Sequence, residues 1–248
     1  MKKRLDQLLL DKNLVRSRNE AQSLIMQGKV LVDDKPVTKA GSSFTSDVEI
    51  RIKGTRSAYV SRGGDKLAGA LKEFDIDIQG VVALDVGAST GGFSDCMLQA
   101  GASKVYAIDV GIAQLDEKIR QDARVEVYEK LHAKDLPTID FDPKPNFVSI
   151  DVSFISVRKI IDSVVEVLAP EARLLILVKP QVELEKEAGS KGGVVKDEKK
   201  QLEAVSLVEE YLSSNLALEV IASAPSVLKG EKKGNQEYFI FAKFSSSS

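Results

Sequence analysis

The 248-residue chain holds one cysteine, one histidine and no tryptophan. A single thiol, Cys96, excludes an internal disulfide. A single imidazole, His132, leaves no His/Cys set for zinc, so no metal centre is expected. No apolar run reaches the length of a bilayer span, and Met1-Lys2-Lys3-Arg4 leads into an amphipathic pattern where a secretion signal would need a continuous apolar stretch. Stable membrane association is therefore not expected, and a cytoplasmic location is. Net charge is also small, at −2, but it is unevenly spread. Residues 1–60 carry 12 Lys+Arg against 7 Asp+Glu, a balance of +5, whereas residues 61–248 carry 23 against 30, a balance of −7. The basic end is the expected contact for a polyanion. The length suits one large domain or a small domain ahead of a medium one.

The most informative stretch is Asp85 to Asp95, D-V-G-A-S-T-G-G-F-S-D. It follows Val81-Val82-Ala83-Leu84, apolar on every residue as a parallel strand covered on both faces should be. Gly87 and Gly91 let the backbone approach a ligand at the carboxyl edge of that strand, and the turn Ala88, Ser89, Gly91, Gly92 leads into a helix from Phe93 to Ala100. Cys96 falls on that helix and is expected to pack there. Asp109 ends the next strand, Val105 to Ile108, where an acid can accept both hydroxyls of a ribose. A glycine-rich turn alone can be a tight corner. Paired with Asp109 it points to a ribose-bearing ligand.

The first sixty residues read as two short helices followed by strands. Leu5, Leu8 and Leu9 share a face of the first helix. Ser17-Arg18-Asn19-Glu20 is a capping box for the second, and Gly28 sits where a helix end wants a left-handed residue. Val30 to Val32 and the alternating Val48 to Ile52 supply strands. Arg4, Lys12, Arg16, Arg18, Lys29 and Lys35 are left mostly exposed, either as a solvated face or as a phosphate-binding one. Lys53 to Ala58 has no hydrophobic period and reads as a linker, so the expected domains are 1–58 and 59–248.

From residue 81 onward strand and helix patterns alternate. Strands are expected at 81–86, 104–108, 124–128, 146–151, 173–178, 216–223 and 236–244, with helices at Ser156 to Leu168 and Asp197 to Ser213. The alternation predicts a doubly wound, Rossmann-like α/β sheet of seven strands. Only a polar turn, Lys229 to Asn235, separates the last two strands, so they should pair antiparallel. The glycine-bearing stretch from Glu183 to Lys200 reads as a loop, either a plain connection or a lid.

In such a sheet the site lies at the carboxyl ends of the parallel strands. Asp151 ends the fourth strand and Lys179 the fifth, and these should be neighbours. Glu237 opens the antiparallel last strand at the same edge. Lys66 lies on a helix before the first strand. Each alone reads as a cap or an ion pair, whereas four converging on one edge suggest a catalytic group.

These residues carry a resemblance. The string K-R-L-D-Q-L-L-L followed by V-R-S-R-N-E-A-Q-S-L-I-M-Q-G-K-V-L-V-D-D-K-P-V resembles an S4 domain over residues 3–52, an RNA-binding fold that uses its basic helix face against phosphates. The order Lys66, Asp151, Lys179, Glu237 resembles the Lys-Asp-Lys-Glu tetrad of FtsJ-like ribose 2′-O-methyltransferases. Together with S-R-G-G-D-K-L, D-V-G-I-A-Q-L, D-V-S-F-I-S, V-K-P-Q-V-E and G-N-Q-E-Y, the chain is similar to the TlyA (hemolysin A) family over nearly its whole length. The resemblance implies S-adenosylmethionine as cofactor, held by Asp85, Gly87, Ala88, Ser89, Gly91, Gly92, Phe93 and Asp109. It implies ribosomal RNA or ribosomal subunits as partner, bound through the six cations above. His132 departs from the asparagine usual in the family and is either a surface residue or a stacking group near the cofactor.

The residue types suit methyl transfer to a ribose hydroxyl, which needs in-line approach and removal of a weakly acidic proton. Lys179 is the candidate base, its pKa lowered by burial and by Lys66, with Asp151 and Glu237 orienting the ammonium groups. The alternative role for Lys179 is positioning alone, with water taking the proton. Rival functions are membrane lysis, an RNA-binding protein with a degenerate methyltransferase fold, and a nicotinamide oxidoreductase. The absence of an apolar span opposes the first, the intact tetrad the second, and the lack of a hydride-transfer site the third.

Overall fold

The computed structural model describes residues 2–12, 14–33, 35–48, 50–52, 57–184, 194–215, 218–230 and 235–244. The chain forms two compact units, Met1–Arg56 and Ser57–Ser248.

In the first unit, β1 (Lys2–Arg4) and α1 (Leu5–Asp11) precede α2 (Arg18–Met26), β2 (Val30–Val32), β3 (Lys35–Pro36), β4 (Ser43–Thr45) and β5 (Ile50–Ile52). Ser17 caps α2, its Oγ accepting the Glu20 N–H at 3.2 Å, and the Glu20 carboxylate reaches back to the Arg16 N–H at 2.6 Å. Gly28, at φ +66°, turns the chain out of α2. Leu5, Leu9, Val15, Ala21, Ile25, Val30 and Val32 form the core. Strands β3-β2-β5 make one antiparallel sheet, and β1 pairs with β4 in another. The β1–β4 ribbon has no hydrophobic alternation to announce it, since β1 is exposed at all three residues.

The second unit runs α3 (Arg62–Glu73), β6 (Val82–Val86), α4 (Gly92–Gln99), β7 (Lys104–Asp109), α5 (Glu117–Arg120), β8 (Val125–Glu129), β9 (Phe147–Ile150), α6 (Ile161–Val165), β10 (Arg173–Val178), α7 (Pro180–Glu183), α8 (Glu198–Asn215), β11 (Leu218–Pro225) and β12 (Tyr238–Phe244). Its seven-stranded sheet has the order β11-β12-β10-β9-β6-β7-β8. The five strands from β10 to β8 are parallel, and β12 is antiparallel to both β10 and β11. Alternate residues of each strand enter separate cores. Leu84, Ile108, Val148 and Ile176 pack on one face, and Ala83, Ala107, Phe147 and Leu175 on the other. Both faces are therefore covered, as the expected doubly wound α/β architecture requires.

Strand order reverses at β6, with β7 and β8 to one side and β9 and β10 to the other, which opens a crevice beyond its carboxyl end. The single helix expected from Ser156 to Leu168 is a correction. A 3₁₀ turn at Val157–Lys159 and the short α6 replace it, separated by Ile160 at φ −124° and ψ −19°. Val157, Ile160, Ile161, Val164, Val167 and Leu168 are all buried, so the apolar stripe is present without a continuous helix. Residues 185–193 of the expected 183–200 loop, and 231–234 of the turn before β12, lie outside the described residues.

Candidate active site

The glycine turn is built by two constraints. Gly87 has φ +88°, and a Cβ there would lie 2.5 Å from the Asp151 carbonyl oxygen, so only glycine allows the two backbones to meet. Gly91, at φ +91°, caps α4, and its absent Cβ leaves room for Leu115. The Gly87 and Ala88 N–H groups both donate to the Ile108 carbonyl, at 2.9 and 3.0 Å, which binds the turn to the end of β7. Beyond it, Asp109 accepts the Ser89 N–H through Oδ2 at 2.8 Å and the Gly111 N–H through Oδ1 at 2.6 Å. A carboxylate offers about four lone-pair sites, so both oxygens keep acceptor capacity.

A cavity of about 740 Å³ lies along the turn, lined among others by Arg62, Lys66, Gly87, Ser89, Phe93, Asp151, Lys179, Gln181 and Glu237. A smaller hollow, lined by Asp109, Gly111, Tyr128 and Glu129, shares Ala88 and Ser89 with it. The two hollows thus meet at the turn. In the cavity wall, the Gln181 Oε1 is buried with no hydrogen-bond donor among the described residues.

All four strand-edge and helix residues picked out in the sequence line this cavity. Lys66 on α3 pairs with Glu237 at 2.6 Å, with side chains 9% and 4% exposed. Lys179, immediately after β10, pairs with Asp151, immediately after β9, at 2.5 Å. That approach is an ion pair without hydrogen-bond alignment, and the directed hydrogen bond of Lys179 goes to Ser153 Oγ at 2.7 Å. Each ammonium therefore has its own carboxylate, and the four charges cancel.

Asp85 is a correction. It is 0% exposed, its Oδ2 accepts from Ser94 Oγ at 2.6 Å and its Oδ1 from Ser149 Oγ at 3.1 Å, so it lies beneath the turn and lines neither hollow. Burial pushes its pKa up to about 7, against the opposing pull of the two hydroxyls. Cys96 is buried too, and burial raises its thiol to about 12, which leaves it no nucleophilic role near neutral pH. His132 is exposed and lines neither hollow.

In the first unit Lys12, Arg16 and Lys35 are exposed and Lys29 is half-buried. Arg4 and Arg18 are held by a residue that the sequence left unassigned. Asp6 is fully buried and accepts from Arg4 Nε at 3.0 Å, Arg4 Nη2 at 2.8 Å, Arg18 Nε at 3.1 Å and Gln22 Nε2 at 3.1 Å. The Arg4 guanidinium holds this carboxyl well below the usual range. Two of the six expected phosphate contacts are thus oriented by a carboxylate, and both remain about half exposed.

Residues 59–244 match the family of FtsJ-like methyltransferases, and residues 3–50 match the S4 domain. Hemolysin A of Brachyspira hyodysenteriae is 38% identical over 247 residues, covering 95% of this chain and 97% of that protein. The 16S/23S rRNA (cytidine-2′-O)-methyltransferase TlyA of Mycobacterium tuberculosis is 36% identical over 239 residues, covering 96% of this chain and 88% of its own. A solved structure from Streptococcus thermophilus that carries the hemolysin name superposes with a TM-score of 0.76 at 34% identity, covering 99% of this chain and 90% of that one. Among the described residues no helix is long and apolar enough to cross a membrane.

Proposed function

Because the chain belongs to the FtsJ-like methyltransferase family, with an S4 domain ahead of the catalytic fold, we propose that it methylates ribose 2′-hydroxyls of ribosomal RNA with S-adenosylmethionine. The observation that carries this reading is the pair of buried ammonium–carboxylate contacts, Lys66–Glu237 and Lys179–Asp151, in the wall of the cavity that runs along the glycine turn.

The cradle suits the cofactor. Gly87 keeps the turn free of a side chain, Asp109 retains lone pairs for ribose hydroxyls, and the unpartnered Gln181 Oε1 offers a further acceptor in the cavity. Ala88, Ser89, Gly92 and Phe93 complete the wall around it, and Gly91, which lines neither hollow, shapes the turn from behind. When bound, the cofactor supplies an electrophilic methyl group on a sulfonium.

The chain's own residues do the rest. Lys179 Nζ donates one hydrogen bond, to Ser153, and lies in ion-pair contact with Asp151, which places it in the cavity wall to meet the substrate hydroxyl. To act as base Lys179 first gives up one ammonium proton to solvent, and the lone pair of the resulting neutral amine takes the hydroxyl proton as the oxygen bonds to the methyl group. Lys66 and Glu237 line the same cavity as a second ion pair. The Ser153 contact was not anticipated, although its residue stands in the D-V-S-F-I-S motif. Arg4, Lys12, Arg16, Arg18, Lys29 and Lys35 of the S4 domain supply phosphate contacts.

The test is incubation with methyl-labelled S-adenosylmethionine and ribosomal subunits, followed by mapping of the labelled nucleotide. Label on a ribose 2′-oxygen supports the reading. Label confined to a base, or no transfer to any ribosomal RNA, overturns it.

A further inference from the structure

The V-K-P-Q-V-E motif holds an ionisable residue that the tetrad does not use. Glu183 lies one turn after Lys179 on α7, with its N–H donating to the Lys179 carbonyl at 3.2 Å. Its side chain is 1% exposed. Its Oε1 accepts the Val157 N–H at 2.9 Å and its Oε2 accepts from Ser156 Oγ at 2.5 Å and Arg158 Nε at 3.3 Å. Arg158 Nη2 also donates to the Glu183 carbonyl oxygen at 3.1 Å. Among the described residues the side-chain hydrogen bonds of Glu183 thus all go to one three-residue segment, 156–158.

That segment ends the loop that begins at Asp151 and carries Ser153. At its start the loop is held to the sheet, the Asp151 N–H donating to the Val86 carbonyl at 2.9 Å. At its far end Glu183 holds it. The two groups that grip the Lys179 ammonium, Asp151 and Ser153, therefore sit on a loop whose far end is tied to the helical turn that starts at Lys179 itself.

We infer that Glu183 is a positioning residue that closes this loop onto α7 and so fixes the direction of the Lys179 ammonium. The inference rests on the reading of Lys179 as the group that meets the ribose hydroxyl. A carboxylate serves because Val157 N–H, Ser156 O–H and Arg158 are all donors, and two oxygens satisfy them together. With its side chain buried, Glu183 does not touch substrate and acts only through Lys179.

The closing experiment compares full-length wild type with Glu183→Ala and Glu183→Gln. Loss of the anchor misplaces Lys179, and kcat for RNA methylation should fall on the order of 100-fold in Glu183→Ala with cofactor affinity unchanged. Glu183→Gln should regain part of the rate, its amide oxygen accepting from Val157 and its NH₂ donating to Ser156, while the contact with Arg158 Nε is lost. Amine-reactive ester labelling read by mass spectrometry gives a readout independent of activity. Labelling of Lys179 should rise several-fold in Glu183→Ala while that of Lys66, paired elsewhere, stays constant. Should Glu183→Ala fail to fold, Ser156→Ala, which removes one contact from the loop side, should raise Lys179 labelling in the same direction. Unchanged Lys179 labelling, or a glutamine variant as impaired as the alanine one, overturns the inference. If wild type itself methylates no ribose, the functional reading falls, and the labelling contrast still decides whether Glu183 positions Lys179.

Discussion

Lys66 and Glu237 stand 171 positions apart in the chain and meet at 2.6 Å in a buried ion pair. The contact joins the helix before the first strand of the central sheet to the residue before its last strand. It ties together the two ends of the catalytic fold.

Removing one partner leaves the other buried and unpaired. Lys66→Met and Glu237→Leu should each destabilise the protein by about 3–5 kcal/mol, and the double variant by less than the sum, because a buried pair replaced by apolar residues is often tolerated. Urea denaturation of the two singles and the double would check this. Additive losses would show that the two side chains do not interact.

Lys179→Ala should lower single-turnover methylation of RNA by on the order of 10²–10⁴-fold while cofactor affinity stays near wild type, since the role assigned is in the transition state. Lys179→Arg should fail as well, because a guanidinium does not give up its proton near neutral pH. An active arginine variant would leave Lys179 as a positioning cation only.

Asp85 gives a stability difference with a defined sign. Its folded pKa is raised from 3.8 to about 7 by burial. Between those values the folded state holds a proton that the unfolded state has lost, so this group's contribution falls as pH rises through the window and is flat above it. Relative to Asp85→Asn, wild type should lose on the order of 4 kcal/mol between pH 4 and pH 8. Urea midpoints of both proteins across that range would check it, and parallel curves would mean that Asp85 is ionised throughout.

Asp109→Ala should weaken S-adenosylmethionine by one or two charge-assisted hydrogen bonds, roughly 1.5–3 kcal/mol each. Calorimetry on the folded variant measures this directly. Binding of NADH in place of S-adenosylmethionine would favour the oxidoreductase alternative.

Deleting residues 1–56 should preserve cofactor affinity and sharply reduce methylation of structured RNA, since the excess of basic residues lies there. RNA affinity of the intact protein should fall with rising salt, as counterion release requires. A truncated protein that methylates ribosomal RNA at the full rate would leave the S4 domain without a role in this reaction.

The architecture was legible because its signals are periodic. Apolar strands such as Leu174 to Val178, the glycine turn and the strand-end acids all announce themselves within a few residues. Asp151 and Lys179 could be placed together because neighbouring parallel strands bring their carboxyl ends to one edge. What escaped was set by partners distant in sequence. Asp85 reads as a ligand contact in a glycine-turn motif, yet Ser94 and Ser149 enclose it. Asp6, Ser153 and Glu183 owe their roles to contacts across 12, 26 and 27 positions, with Arg18, Lys179 and Ser156 respectively, and no periodicity encodes those. The apolar stripe from Val157 to Leu168 fits a helix, and the break at Ile160 lies in backbone angles that the stripe does not record.

The position of β12 also bears on synthesis. This strand follows β10 and β11 in the chain, yet lies between them in the sheet. A nascent chain leaving the ribosome can form the glycine turn, the Lys179–Asp151 pair and the parallel strands before Glu237 emerges. During that interval β10 has an open edge and Lys66 lacks its counter-ion. The Lys66–Glu237 contact therefore waits on β12, which is translated after both of its sheet neighbours, and until then the unfinished fold presents an unpaired strand edge for chaperones to shield.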